Sequence, residues 1–159
     1  MSNKILVTYA TRYGSTREVA ETIAATLREG GLEVQTLAGY SAVVLGAPLF
    51  MFQWHKDTLH FLSQNREALA ERPVAIFALG PTHDPHDEHE WRDSRVQLDK
   101  ALAKYPWIRP VALEMFGGKY DPAKLRFPIK QLAGDAPATG IRDWDTIRDW
   151  ASQLSVKLQ

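Results

Sequence analysis

Ile5-Leu6-Val7-Thr8-Tyr9-Ala10-Thr11-Arg12-Tyr13-Gly14-Ser15-Thr16-Arg17-Glu18-Val19-Ala20 opens as an apolar, β-branched run, breaks at a polar turn, and resumes with Val19, Ala20, Ile23, Ala24 and Leu27 at helical spacing. The reading is strand, turn, helix. Ser15 followed by Glu18 reads as a capping box, and Gly30-Gly31 as the helix stop. Outward from this unit the alternation recurs. Ala42 to Leu45 precedes a helix around Thr58 to Leu69, and Val74 to Leu79 precedes one around Trp91 to Leu102. Val111 to Phe116 gives a further strand. The last helix aligns Ile147, Trp150, Ala151, Leu154 and Leu158 on one face, with Asp143 and Asp145 near its positive end. Alternating units of this kind predict a parallel sheet covered by helices on both faces.

The chain has 159 residues, 45% of them hydrophobic, which suits one domain with a continuous core over residues 1–159. Its 19 basic and 19 acidic side chains cancel, which removes the basic signature of a nucleic-acid binder. With no cysteine, disulfides, thiolate catalysis and cysteine-ligated metal centres are excluded, so redox chemistry has to come from a cofactor. The short apolar segment ending at Thr8 is far below the length of a signal or membrane-spanning stretch, and the expected location is the cytoplasm. Peripheral membrane contact stays open.

The turn Thr11-Arg12-Tyr13-Gly14-Ser15-Thr16 carries the chemistry. Its hydroxyls, successive backbone N–H groups and the positive end of the following helix together suit a phosphate dianion. Neither GxGxxG nor a GxxxxGK loop occurs, which favours FMN over a dinucleotide or ATP. The same turn also reads as a plain helix cap.

Here the sequence resembles the flavodoxin family: Thr11, Gly14 and Thr16 keep the spacing of its phosphate loop, while Tyr13 and Ser15 replace the usual Thr and Asn. The segment TRYGSTRE, Thr11 to Glu18, is similar in full to the signature of the menaquinone-dependent protoporphyrinogen oxidase branch and its flavodoxin-domain relatives. Residues 40–47, Trp54-His55-Lys56, Phe116-Gly117-Gly118-Lys119 and Arg142-Asp143-Trp144 extend the likeness along the chain.

The resemblance implies a flavodoxin-like three-layer α/β sandwich, with a five-stranded parallel sheet of order 2-1-3-4-5 and three loops around FMN. The first is the phosphate loop. Pro48, Leu49, Phe50, Met51 and Phe52 would flank the isoalloxazine, and Gly80, Pro81, Thr82 and His83 would border its other side. The implied activity is an FMN-dependent oxidoreductase that oxidises a planar, tetrapyrrole-like substrate and passes electrons to a quinone. Lys119, Tyr120, Lys124 and Arg126 would meet acidic substrate groups. Two alternatives stay open: a flavodoxin carrying electrons between protein partners, which neutral charge disfavours, and a flavin-free interaction module.

Other features have plain readings beside functional ones. Phe50, Met51 and Phe52 also fit core or an interface patch, and Arg12 and Arg17 fit solvated surface. His83, His86 and His89 sit among acidic residues, but Pro81 and Pro85 break the helix that would converge them on a metal, and no metal site is assigned. Trp144 and Trp150 fit helix packing, while Trp54 or Trp91 would border the flavin by position alone.

One connection breaks the pattern. A second strand running to Leu37 leaves only Ala38 to Ser41 to cross the first strand and return to the opposite end of the sheet, a path at the limit of a fully extended chain. Either the second strand is cut short or displaced, or residues present in the natural protein are missing from this sequence; the latter is the preferred expectation.

Overall fold

The computed structural model describes residues 4–11, 14–29, 33–34, 39–50, 53–82, 84–120 and 139–159. Five parallel strands form the central sheet: β1 (Lys4–Tyr9), β2 (Glu33–Val34), β3 (Ala42–Gly46), β6 (Val74–Leu79) and β7 (Ala112–Phe116). Their spatial order is β2-β1-β3-β6-β7, which is 2-1-3-4-5 when only these strands are counted. Two antiparallel pairs lie apart from the sheet, β4 (Leu49–Phe50) with β5 (Gln53–Trp54), and β8 (Lys119–Tyr120) with β9 (Thr139–Gly140).

β3 and β6 are apolar and buried along their whole length because both of their faces are covered. Side-chain alternation divides them between two cores. Ala42, Val44, Ala75 and Phe77 point to one face, where helix α1 (Ser15–Glu29) supplies Val19, Ile23 and Leu27. The C-terminal helix α5 (Trp144–Lys157) supplies Ile147, Trp150 and Leu154 to the same core. Phe77 and Phe116 meet the edge of Trp150 there, at centroid distances of 6.2 and 5.5 Å. Val43, Leu45, Val74 and Ile76 face the other core, covered by α2 (Lys56–Gln64), α3 (Arg66–Ala70) and α4 (Glu88–Ala103). Each fully buried aliphatic side chain contributes about 1.5–3 kcal/mol.

Helix ends follow their capping residues. Asp87 accepts hydrogen bonds from His89 and Glu90 N–H to start α4, and Asp143 does the same for Asp145 and Thr146 at α5. The helix expected over Thr58 to Leu69 is two helices broken at Asn65, whose amide and backbone N–H both donate to Phe61 O. α1 begins at Ser15 itself, so Gly14, whose carbonyl accepts from Glu18 N–H at 3.2 Å, holds the N-cap position expected for Ser15. The helix ends at Glu29; Gly30 and Gly31 lie outside the described residues.

Of the second strand, Glu33–Val34 is described; residues 35–38, and with them the expected strand end at Leu37 and the start of the short connection, lie outside the described residues. Val34 and Ala42 both lie beside Ile5, on opposite flanks of β1. Ser41 then fastens the entry to β3, its N–H and hydroxyl both donating to Lys4 O at 2.6 and 3.0 Å.

Candidate functional site

Parallel strands deliver all their following loops to one edge, and here that edge is laced together beyond the strand ends. Ala10 N–H donates to Gly46 O at 3.1 Å, Ala47 N–H to Phe77 O at 2.9 Å and Gly80 N–H to Phe116 O at 2.9 Å. The segments after β1, β3, β6 and β7 are thus held side by side at the carboxyl ends of the strands, where open α/β sheets build their ligand sites.

After β1, the hydroxyl of Thr11 accepts from Gly14 N–H at 2.9 Å and closes the turn. Gly14 has φ 90°, a conformation that disfavours any side chain. Among the described residues nothing lies within 4 Å of a Cβ built there. Ser15 and Thr16 follow as the first residues of α1, with Thr16 buried. As in any helix, the first N–H groups have no carbonyl one turn back within the helix to bond. Arg12 and Tyr13 lie outside the described residues. Arg17 pairs with Glu21 at 3.8 Å on the exposed side of the helix.

After β3, Pro48, Leu49 and Phe50 lead into the β4–β5 hairpin, with Leu49 opposite Trp54 and Phe50 opposite Gln53. Met51 and Phe52 lie outside the described residues. Leu49 packs against the α2–α4 core. Trp54 is corrected: it is 4% exposed and stacks on Tyr105 at 5.7 Å within that core, because its place in β5 turns it inward. Trp91 also packs against that core, its indole N–H donating to Pro85 O at 3.1 Å. His55 caps α2, its Nδ1 accepting from Asp57 N–H at 3.2 Å.

After β6, Gly80 and buried Pro81 are clamped to the segment after β7, since Gly118 N–H donates to Pro81 O at 2.7 Å. A Cβ on Gly118 would stand 3.1 Å from both Gly80 O and Thr82 Cγ2, so a side chain there would crowd this approach. His83 lies outside the described residues, while His86 and His89 are exposed. The carboxylates of Asp84 and Asp87 beside them accept from backbone N–H groups.

Two features escaped sequence reasoning. Tyr9, at the end of β1, is exposed where the strand pattern calls for burial. Arg142, noticed only as part of a family stretch, forms an ion pair with Glu18 in the first turn of α1 and lies 4.8 Å from the centroid of Trp144. Nearby, hydrogen bonds from Thr146, backbone first and hydroxyl second, hold the Asp143 carboxyl below the usual carboxylate range. Of the residues expected to meet substrate, Lys119 and Tyr120 form β8, and Lys124 and Arg126 lie outside the described residues.

A hollow of about 310 Å³ between Leu69, Arg72, Val74, Trp107 and Arg109 lies at the opposite edge of the sheet, where β6 begins. Arg72 is engaged there in holding the fold, donating to Ala68 O and Tyr40 O at 2.6 and 3.2 Å. The loop edge, not this hollow, carries the grouped features of a site.

The fold and the laced loop edge define a doubly wound α/β protein. The chain belongs to the flavodoxin-domain family, whose model matches residues 6–133. It is 20% identical to protoporphyrinogen IX dehydrogenase [quinone] of Escherichia coli K12 over 180 aligned positions, covering 96% of this chain and 94% of the relative. The protein of the same name from Leishmania major is 25% identical over 178 positions, covering 97% of this chain and 75% of the relative. Both alignments are longer than the chain, so the relatives carry residues that this sequence lacks. Among solved structures, a mutant flavodoxin from Pseudomonas aeruginosa superposes with a TM-score of 0.56 at 16% identity, covering 99% of each chain. No helix among the described residues is long and apolar enough to cross a membrane.

Proposed function

We propose that the chain binds FMN, with its phosphate in the turn of Thr11 to Thr16, and acts as a flavin oxidoreductase that delivers electrons to a quinone. The observation that carries this reading is the turn itself: Thr11 closing on Gly14, the positive φ of Gly14, and the start of α1 at Ser15. Hydroxyls, the first N–H groups of a helix and a backbone turned through a positive φ suit a monophosphate ester. When bound, FMN supplies the electron and hydride chemistry, and the protein supplies position and environment.

In this reading Arg12 and Tyr13 complete the phosphate loop. Pro48, Leu49, Phe50, Met51 and Phe52 exclude water from one side of the ring, and Gly80, Pro81, Thr82 and His83 border the other. The hydrogen bonds from Ala10 to Gly46 and from Ala47 to Phe77 support it by fixing the first two loops to the same edge. The relatives' identity as quinone-linked protoporphyrinogen IX dehydrogenases supports quinone as acceptor and a planar, tetrapyrrole-like molecule as electron donor.

The test is reconstitution of purified protein with FMN, FAD and riboflavin, followed by stopped-flow reoxidation of the reduced protein by a soluble menaquinone analogue. Stoichiometric FMN and fast reoxidation by quinone are the expected results. Failure to bind added FMN removes the reading; binding without reoxidation by any quinone removes its acceptor.

A further inference from the structure

Glu18 and Arg142 are separated by 124 residues in sequence, yet their side chains meet at the start of α1. The Arg142 side chain is only 13% exposed, against 42% for Glu18. The guanidinium is held from behind by the face of Trp144. Its backbone is held as well: Ile141 N–H donates to Gly118 O at 3.0 Å on one side, and Asp143 caps α5 on the other. Arg142 therefore occupies a prepared position.

Glu18 stands one turn after Gly14, to whose carbonyl its own N–H donates. An acidic side chain in a first turn favours the helix dipole while that end is free. A dianion bound at the same end changes the balance, because the carboxylate becomes its like-charged neighbour. The nearest basic residue in sequence, Arg17, is directed to Glu21.

We propose that Arg142 is a positioning residue that neutralises Glu18, and so makes the start of α1 selective for a phosphate-bearing flavin over one without phosphate. This inference rests on the FMN reading above. It acts through charge, so it separates FMN from riboflavin, which presents the same ring system without the dianion.

The experiment titrates wild type, Arg142→Met, Glu18→Gln and the double variant with FMN and with riboflavin, following flavin fluorescence. Arg142→Met is expected to lower FMN affinity about tenfold while riboflavin affinity changes by less than about twofold. Adding Glu18→Gln to Arg142→Met is expected to restore FMN affinity to within about threefold of wild type, since the charge in need of neutralisation is gone. Equal losses for both flavins, or a double variant no better than Arg142→Met, overturn the inference. Wild type that binds neither flavin overturns the FMN reading, whereas wild type that binds FMN with an FMN-to-riboflavin ratio unmoved by Arg142→Met overturns only the role of Arg142.

Discussion

Gly117 and Gly140 border the same crossing, and an added methyl group is expected to have opposite effects at the two positions. A Cβ on Gly117 would stand 2.2 Å from Ile141 O and 2.9 Å from Ile141 C. Both contacts are with backbone, so no side-chain rotation relieves them, and the 140–142 segment has to move. That movement strains the Ile141 to Gly118 hydrogen bond of 3.0 Å. Overpacking costs about 1–3 kcal/mol and a weakened buried hydrogen bond about 1 kcal/mol more. For Gly117→Ala we therefore expect a loss of about 3 kcal/mol, which for a chain of this size lowers Tm by roughly 6–12 °C. At Gly140 the nearest atom to an added Cβ is Lys119 Cγ at 3.5 Å, an ordinary contact. Gly140→Ala should leave stability unchanged or raise it by up to about 1 kcal/mol, by restricting the unfolded chain. Thermal unfolding followed by far-UV circular dichroism measures both. A Gly117→Ala variant melting within about 2 °C of wild type would refute the close backbone crossing.

Gly14→Ala meets no steric obstacle among the described residues but is strained at φ 90°, so it should cost about 1–2 kcal/mol in chemical unfolding and lower FMN affinity in the same preparation. Thr58 is 1% exposed, and its hydroxyl has no hydrogen-bond partner among the described residues; Thr58→Val should therefore be neutral or stabilising by about 1 kcal/mol in urea titrations. The folded-state pKa of Asp143 is depressed, so its contribution to stability is present above the unfolded carboxylate pKa and is lost as pH falls through the folded value. The Tm difference between wild type and Asp143→Asn should accordingly shrink as pH drops below about 4, and a difference that is constant from pH 6 to pH 3 would contradict the cap.

The parts legible in sequence were those where one physical demand dominates. β3 and β6 are buried on both faces and read as unbroken apolar runs, and α1 and α5 show their core stripe at helical spacing. The turn from Thr11 to Thr16 was legible because the positive φ at Gly14 leaves a compositional trace. Parts set by contacts distant in sequence were not. The apolar spacing of Leu62 and Leu69 runs straight across Asn65, which hides the break between α2 and α3. Trp54 sits next to a site loop in sequence but stacks on Tyr105, which arrives from the far end of α4. The partnership of Glu18 with Arg142 joins two stretches each visible alone, and neither names the other.

That partnership also has a consequence in time. A chain synthesised at roughly 5–20 residues per second exposes Glu18 many seconds before Arg142, and Ile147, Trp150 and Leu154 arrive later still. Until then the core face of β1 and α1 lacks these residues, and Glu18 lacks Arg142. Under the FMN reading proposed above, a ribosome-stalled chain ending before Arg142 is therefore expected to bind FMN more weakly than the released chain.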